Sequence, residues 1–482
     1  MKETSSYRQI LRASYISGVA SVINIILGII RMKAAAVLLG PAGVGLIGIL
    51  QQIMVTATAL AGVGLTSSGT RQIAAASQDN DERLAATQHA LIWGALILAL
   101  VGGLIVWIFR APIAAFTLND QSLSYLVGWM ALGVTLSIAA GSQIALLNGL
   151  RKIEHIARVN IYAAVLSTVV GIPAIFAFSE NGIVILIISV PFSNLIISYI
   201  YASGLQKFRA NSKDLSEIYS EWRNLIRLGG AFMIAGAAFL IAQLLIRSMV
   251  QKELGPVALG EFTASWMISM TYIGFVLGAM ATDYYPRLTG IIKDHPAVNR
   301  LVNEQTEIAL LFSGPILIAM MTLAPWVIEI LYTKDFKPAA EILRWQILGD
   351  ILKLASWPLG FIILAAANSK TFMLTESLGA FIMLGSTWVA IPYFGVTATG
   401  ISFLFMYIFY LPVVYWLAKK RTGFRWSIAV VRLIIIITLA CVAVAVIDHY
   451  DQVYGVVLGL SLTAVGLIYS ISKLKGHLRS TC

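Results

Sequence analysis

RASYISGVASVINIILGIIRMKAAAVLLGPAGVGLIGILQQIMVTATALAGVGL, residues 12–65, carries three charges, Arg12, Arg31 and Lys33, and no acid. Gly40-Pro41 cuts it into two apolar runs, 12–38 and 42–65. A helix needs roughly 20 mostly apolar residues to cross the hydrocarbon of a bilayer, so each run is long enough to span. Glycine and proline together punctuate helices, because one has no preferred backbone and the other cannot donate the next hydrogen bond. The stretch therefore reads as two membrane helices joined by a tight break. It is no cleavable signal peptide, since its first apolar run continues to Leu39 and lacks an A-x-A site.

Working outward, the whole chain has the same character. Of 482 residues, 59% are hydrophobic and 12% charged, with mean hydropathy +0.84. Soluble domains carry about a quarter charged residues, so no water-soluble fold hides this much apolar surface. An all-α integral membrane protein is expected, with about fourteen spans near 12–38, 42–65, 85–109, 123–147, 156–178, 182–205, 224–250, 258–281, 306–331, 339–366, 371–391, 396–418, 428–447 and 453–472. Two cysteines, Cys441 inside an apolar run and Cys482 at the end, offer neither a disulfide framework nor a metal site.

Charge orients these spans. With the N-terminus and every second loop in the cytoplasm, the cytoplasmic segments and their edges hold 23 Lys and Arg. The opposite loops hold 4: Arg110, Lys252, Lys334 and Lys337. Such a bias is the positive-inside pattern, and one miscounted helix would scramble it. Both termini are expected in the cytoplasm. The net charge of +11 is then topology and not a nucleic-acid footprint.

The chain also repeats. Leu39-Gly40-Pro41 recurs as Leu254-Gly255-Pro256, Arg71 as Arg287, Asn148 as Asn368, and Ile172-Pro173 as Ile391-Pro392, the offset drifting from 215 to 220. Six spans per half is even, so the halves share one topology about an axis along the membrane normal. The expected organisation is a six-helix lobe at 1–215, a second at 216–420 and an extra helix pair at 421–482. Two such bundles enclose a central cavity and give alternating access. The longest connections are about twenty residues, too short for a catalytic or nucleotide-binding domain.

Gly43-Val44-Gly45-Leu46-Ile47-Gly48 spells G-x-G-x-x-G, but that chemistry needs a βαβ unit and an acid about 20 residues on. Here it opens a membrane helix, where small residues serve close packing. No G-x-x-x-x-G-K-[ST] and no metal-ligand motif is present, so no ATP-driven step, metal or bound cofactor is expected. Coupling to a proton or sodium gradient stays open.

The informative residues are charges inside spans. Arg31 and Lys33 lie in the first span, Arg247 in the seventh, and Glu341, Arg344, Asp350 and Lys353 in the tenth, with Glu376 in the eleventh. Arg31 and Arg247 each fall roughly 12–14 Å before their Gly-Pro break. A cation at the bilayer centre costs about 2.5–3.5 kcal/mol on the lenient scale, so such groups face a polar interior or a partner. Asn24 and Gln243 extend polar stripes on the faces of Arg31 and Arg247. Lys33 is about 200° round the helix from Arg31, so a straight helix cannot aim both inward. Two readings stand for the arginines: a wet central cavity, or snorkelling and distant ion pairs. Two also stand for the tenth span: neutral pairs Asp350–Lys353 and Glu341–Arg344, or a binding site. A cavity rich in arginine suits an anion, because the planar fork gives phosphate two hydrogen bonds. The candidate substrate contacts are Arg31, Arg247, Lys353, Asp350, Arg344, Lys33, Asn24 and Gln243.

Two stretches carry a family resemblance. LLGPAGVGLIGILQQIMVTATALAGVGLTSSGTRQIA (38–74) and LRWQILGDILKLASWPLGFIILA (343–365) resemble Wzx-type polysaccharide flippases of the multidrug/oligosaccharidyl-lipid/polysaccharide superfamily, a group that includes O-antigen and lipid III flippases. The run Trp345, Gln346, Gly349, Asp350, Lys353 is its most specific piece, and the likeness extends over about residues 5–420. It implies a two-lobed helical transporter, not an enzyme, in the bacterial inner membrane. The implied cargo is an undecaprenyl-diphosphate-linked repeat unit, and the implied partners are membrane lipids, with a polysaccharide polymerase and chain-length regulator nearby. The last helix pair departs from twelve-helix members and resembles the lipid II flippases of the superfamily. Two alternatives stay on the page. A cation-coupled drug or ion antiporter would centre on carboxylates, and a membrane glycosyltransferase or polymerase would need an acid/base set in a sizeable outer loop.

Overall fold

The protein is described by a computed structural model covering residues 2–79, 81–205, 215–366 and 369–480. Asn368 and Cys482, and most of the connection 206–222, lie outside the described residues. The rest is helical, without a strand. The helices are α1 (Lys2–Ala61), α2 (Leu65–Ala76), α3 (Asp81–Ile108), α4 (Arg110–Thr117), α5 (Ser124–Gly149), α6 (Ile153–Phe178) and α7 (Gly182–Ser203). They continue with α8 (Leu215–Ile291), α9 (His295–Leu331), α10 (Ala339–Ala365), α11 (Ser369–Phe394), α12 (Ala398–Thr422), α13 (Ile428–Tyr450) and α14 (Gln452–Ser480).

Among the described residues, nine segments are long and apolar enough to cross a membrane. Three of them, Ile16–Ala61, Ile153–Ser203 and Lys370–Thr422, run 46, 51 and 53 residues and hold two expected spans each. Helix α8 covers the seventh and eighth. The chain is a multi-pass membrane protein, and its outward side chains agree. Trp93, Leu100, Leu104, Phe176, Phe381 and Trp388 are all more than half exposed, a surface that only lipid solvates.

The two Gly-Pro steps are the sharpest feature of the backbone. Gly40 has φ 64° and ψ −168°, and Gly255 has φ 84° and ψ −179°. This corner of backbone space is almost closed to residues with a Cβ. Nothing lies within 4 Å of where a Cβ would stand at either glycine. The requirement is therefore conformational and not a matter of room. The repeat seen in sequence is a repeated backbone break, after which proline starts the next helix.

Two short helices were not expected. The stretch read as a loop after residue 65 contains α2, whose buried residues Leu65, Gly69, Ile73 and Ala76 fall at spacings of four, four and three on one face. Helix α4 follows Phe109 directly. Side-chain caps set other starts: Asp294 accepts from Ala297 N at 3.1 Å, and Ser427 from Val430 N at 3.2 Å.

The helices form two compact units, Met1–Pro256 and Val257–Cys482. In the first, α3 packs on α5, α5 on α7, α7 on α6 and α6 on α1. Residues 215–256 of α8 belong to this unit and are tied to it at three levels. Arg83 Nε donates to Glu221 Oε1 at 3.2 Å, Gln52 Nε2 to the Leu240 carbonyl at 3.1 Å, and Gln251 Nε2 to the Leu118 carbonyl at 3.4 Å. Near the first tie, Gly64 (φ 62°) lies against the backbone of Gly229, where any side chain would collide. In the second unit, α10 and α11 pack on α12, and α9 packs on α10, α13 and α14. The expected extra helix pair is thus built into the second unit through α9.

Candidate functional site

The first unit carries its span charges on α1 and α8. Arg31, partly buried, donates through Nη1 to the Ser167 hydroxyl of α6. No carboxylate lies within ion-pair distance of it among the described residues. Arg247 is 5% exposed and donates to Gln243, to Oε1 at 2.7 Å and to the carbonyl at 3.3 Å. The polar stripe of Gln243 and Arg247 is thereby a hydrogen-bonded pair one turn apart, both buried. Asn24, by contrast, is exposed, and Lys33 is partly buried with the buried Met32 between it and Arg31. A cavity of about 220 Å³ in this unit is lined by Thr58, Thr66, Ser67 and Ser137 among glycines, alanines and larger apolar residues such as Leu65, Ile138 and Met233.

The second unit gathers its charges on α10 and its neighbours. Asp350 is fully buried, and its Oδ2 accepts from Ser269 Oγ at 2.8 Å and from the Tyr272 hydroxyl. Its Oδ1 has no partner. Lys353, three residues on, makes no ion pair with it. The ammonium turns to Met270 Sδ, 3.3 Å away, and lies 5.8 Å from the centroid of the Phe403 ring. The spacing that suggested a neutral Asp350–Lys353 pair yields two separately held groups, because two hydroxyls of α8 have taken the carboxylate oxygen. Lys353 remains within electrostatic reach of both Asp350 and Glu376, and Glu376 Oε1 accepts from the Tyr410 hydroxyl at 2.5 Å. The cluster holds two carboxyls and one ammonium.

In the same unit, Gln346 (both amide atoms), Ser402 and Thr263 are buried without hydrogen-bond partners among the described residues. All of them are oxygen or nitrogen donors and acceptors on α8, α10 and α12. No group of three or more His, Cys, Asp or Glu able to hold a metal occurs among the described residues.

Arg344 belongs to another arrangement. Its Nη2 donates to Asp448 Oδ2 of α13, and Glu341 Oε2 lies 3.9 Å from Nη1. The expected Glu341 partner is the weaker of the two, being half exposed. The decisive partner, 104 residues away, was invisible to any reading of helical spacing. The same holds for Ser167, Ser269, Tyr272 and Tyr410: hydroxyl residues in spans carry no signal until the helices are packed.

A sequence profile for a family described as "Polysaccharide biosynthesis protein" matches residues 10–291. The lipid III flippase of Escherichia coli (strain K12) is 22% identical over 413 residues, covering 83% of this chain and 96% of its own length, and that of Shigella flexneri matches equally. Among solved structures, the lipid II flippase MurJ in an inward closed conformation superimposes with TM-score 0.70 at 13% identity, over 95% of this chain and 99% of that one. An inward-facing multidrug resistance MATE family transporter of the MOP superfamily follows with TM-score 0.65 at 17% identity, over 85% and 98%. These likenesses agree in fold: all-helical membrane transporters.

Proposed function

The chain belongs to the polysaccharide biosynthesis protein family, and from that premise we propose that it is a flippase for a lipid-linked oligosaccharide. The cargo is an undecaprenyl-diphosphate-linked repeat unit of the O-antigen or enterobacterial common antigen type. It moves from the cytoplasmic to the outer leaflet of the bacterial inner membrane by alternating access. The relatives support the cargo class, since they include a lipid III flippase matched along 96% of its length.

The observation that carries the reading is Arg31. A guanidinium in a membrane span is held by a neutral hydroxyl of Ser167 and by no carboxylate among the described residues. Its charge is not cancelled, and the remaining N–H groups suit a diphosphate, which accepts in pairs. Sugar hydroxyls and phosphate charges would otherwise lose their hydration in crossing. Arg247, buried and donating to Gln243, adds a second cation, and the cavity lined in part by Thr66, Ser67 and Ser137 in the same unit suits a glycan surface. In the second unit, Asp350, Lys353 and Glu376 form the ion-responsive element of the cycle. Proton or sodium binding there couples a gradient to the conformational change. A polysaccharide polymerase and a chain-length regulator are the proposed neighbours in the membrane.

Depletion tests the function: the lipid-linked glycan should accumulate on the cytoplasmic face, detected by its resistance to an external glycosidase in spheroplasts. Accumulation on the outer face would place the protein after the flipping step. Orientation is read separately by single cysteines. Position 334 should label from outside in intact cells and position 420 only after permeabilisation. The reverse pattern would invert the topology.

A further inference from the structure

The second unit contains a cavity of about 710 Å³ between α9, α10, α12 and α13 that the charges assigned to transport do not use. Its walls include Leu348, Leu352, Leu404, Ile408, Val442 and Val446, with Met321 from α9. Ile408, Val442 and Val446 are 48%, 39% and 50% exposed, so the cavity opens sideways to the surrounding lipid. Its size lies within the roughly 300–1,000 Å³ of small-molecule sites. At one end the apolar walls give way to Glu341, Arg344 and His449. The chamber is amphipathic along its length: hydrocarbon below, charge at the rim.

The rim selects the kind of headgroup. Arg344 is engaged through Nη2 with Asp448, yet its Nε–H is buried without an acceptor. The side chain is 15% exposed and lines the cavity, so its guanidinium stands at the rim for a phosphate oxygen. One cation stands between two carboxylates, Asp448 and Glu341, and Glu341 is 54% exposed. The rim therefore has an excess negative charge beside an unfilled donor. An anionic headgroup would satisfy the donor and meet the carboxylate excess. A quaternary ammonium would balance charge and donate no hydrogen bond. A zwitterion with a primary ammonium next to a phosphodiester meets both requirements, the ammonium on Glu341 and the phosphate on the Arg344 guanidinium.

We propose that this cavity is a binding site for a membrane aminophospholipid of the phosphatidylethanolamine type. One acyl chain lies between α12 and α13, and the headgroup sits at Glu341 and Arg344. The lipid comes from the leaflet nearest the connection between α9 and α10. Because α13 forms one wall and Asp448 reaches across to α10, the bound lipid helps seat the last helix pair against the unit. The site is independent of the cargo proposed above.

Native mass spectrometry of the purified full-length protein, relipidated with equimolar phosphatidylethanolamine, phosphatidylglycerol and phosphatidylcholine, reads it directly. The wild type should retain phosphatidylethanolamine over the other two by about threefold to tenfold, the span of one partly exposed ion pair with a hydrogen bond. Glu341→Gln keeps the shape and should abolish the preference over phosphatidylcholine. Ala445→Trp fills the cavity from α13 and should lower phosphatidylethanolamine occupancy, with a monodisperse gel-filtration peak showing that the fold is kept. Leu348→Trp does the same from α10 if the first variant aggregates. Equal retention of the three lipids by the wild type, or unchanged occupancy in the filled variant, would overturn the proposal. So would displacement of all three by a polyprenyl phosphate, which would make the cavity a site for the cargo's tail.

Discussion

Arg31 of the first unit and Arg344 of the second are held in different ways. In the first, Arg31 is hydrogen-bonded to the neutral oxygen of Ser167. In the second, Arg344 meets a carboxylate, and Asp350 and Glu376 are each held by tyrosine hydroxyls. A neutral partner orients a cation and leaves its charge in place for an incoming anion. A carboxylate partner consumes the charge and turns it into a clasp between helices. The difference separates groups available to substrate from groups that hold the lobe or respond to ions, and it does so without reference to position in the membrane.

The clasp gives the largest expected effect. Asp448→Ala leaves Arg344, 15% exposed, with only the longer contact to the half-exposed Glu341, and removing one partner of a buried pair costs up to about 3–5 kcal/mol. The thermal midpoint in detergent should fall sharply, and the double variant Arg344→Met/Asp448→Leu should recover most of it. If Asp448→Ala melts like the wild type, the second unit does not use this pair as a clasp.

Arg31 sharpens the contrast from the other side. Arg31→Ala should leave membrane insertion and melting near those of the wild type while transport falls about tenfold to a hundredfold. That is the span of roughly 1.5–3 kcal/mol for hydrogen bonds to a charged group. Arg31→Lys should restore part of the rate, since it keeps charge and loses the fork. A loss of stability equal to the loss of transport would make Arg31 a structural group like Arg344.

The Gly-Pro steps offer a control in which the units should behave alike. Gly40→Ala and Gly255→Ala each force a Cβ into a backbone region that costs about 1–3 kcal/mol, with no collision to add at either site. Similar destabilisation is expected, measured by thermal unfolding of each variant. A much larger loss at one would show that the repeat is not equivalent.

The smallest effect concerns Asp350 and Lys353. Without a direct ion pair, a double-mutant cycle on protein stability should give a coupling below about 1 kcal/mol. Transport should fail in both single variants and in Asp350→Ala/Lys353→Ala. A coupling of several kcal/mol with transport restored in the double variant would return the pair to a scaffold role.

Much of this was legible in the chain itself. The spans follow from run length, and the helical course of 12–65 and its break at Gly40-Pro41 follow from two residue types. The functional charges were also legible as anomalies, because an Arg or Asp in an apolar run has few reasons to be there. Their partners were not. Glu341 stood three residues from Arg344 and looked sufficient, but Asp448 lies nearer. Asp350 and Lys353 had the spacing of a pair, but Ser269 and Tyr272 took the carboxylate. Helix α2 was read as a loop because its stripe is short and interrupted by serine and threonine.

Sequence by itself determined that this chain lives in lipid, where it bends, and which side chains carry charge into the bilayer. Those properties depend on hydrophobicity and backbone geometry, which act residue by residue. Tertiary structure alone decided which charges are spent. Whether a buried cation binds substrate or clasps a helix depends on what approaches it from another helix, as Ser167 does for Arg31 and Asp448 for Arg344. Those contacts span 136 and 104 residues, and no local pattern encodes which oxygen will arrive.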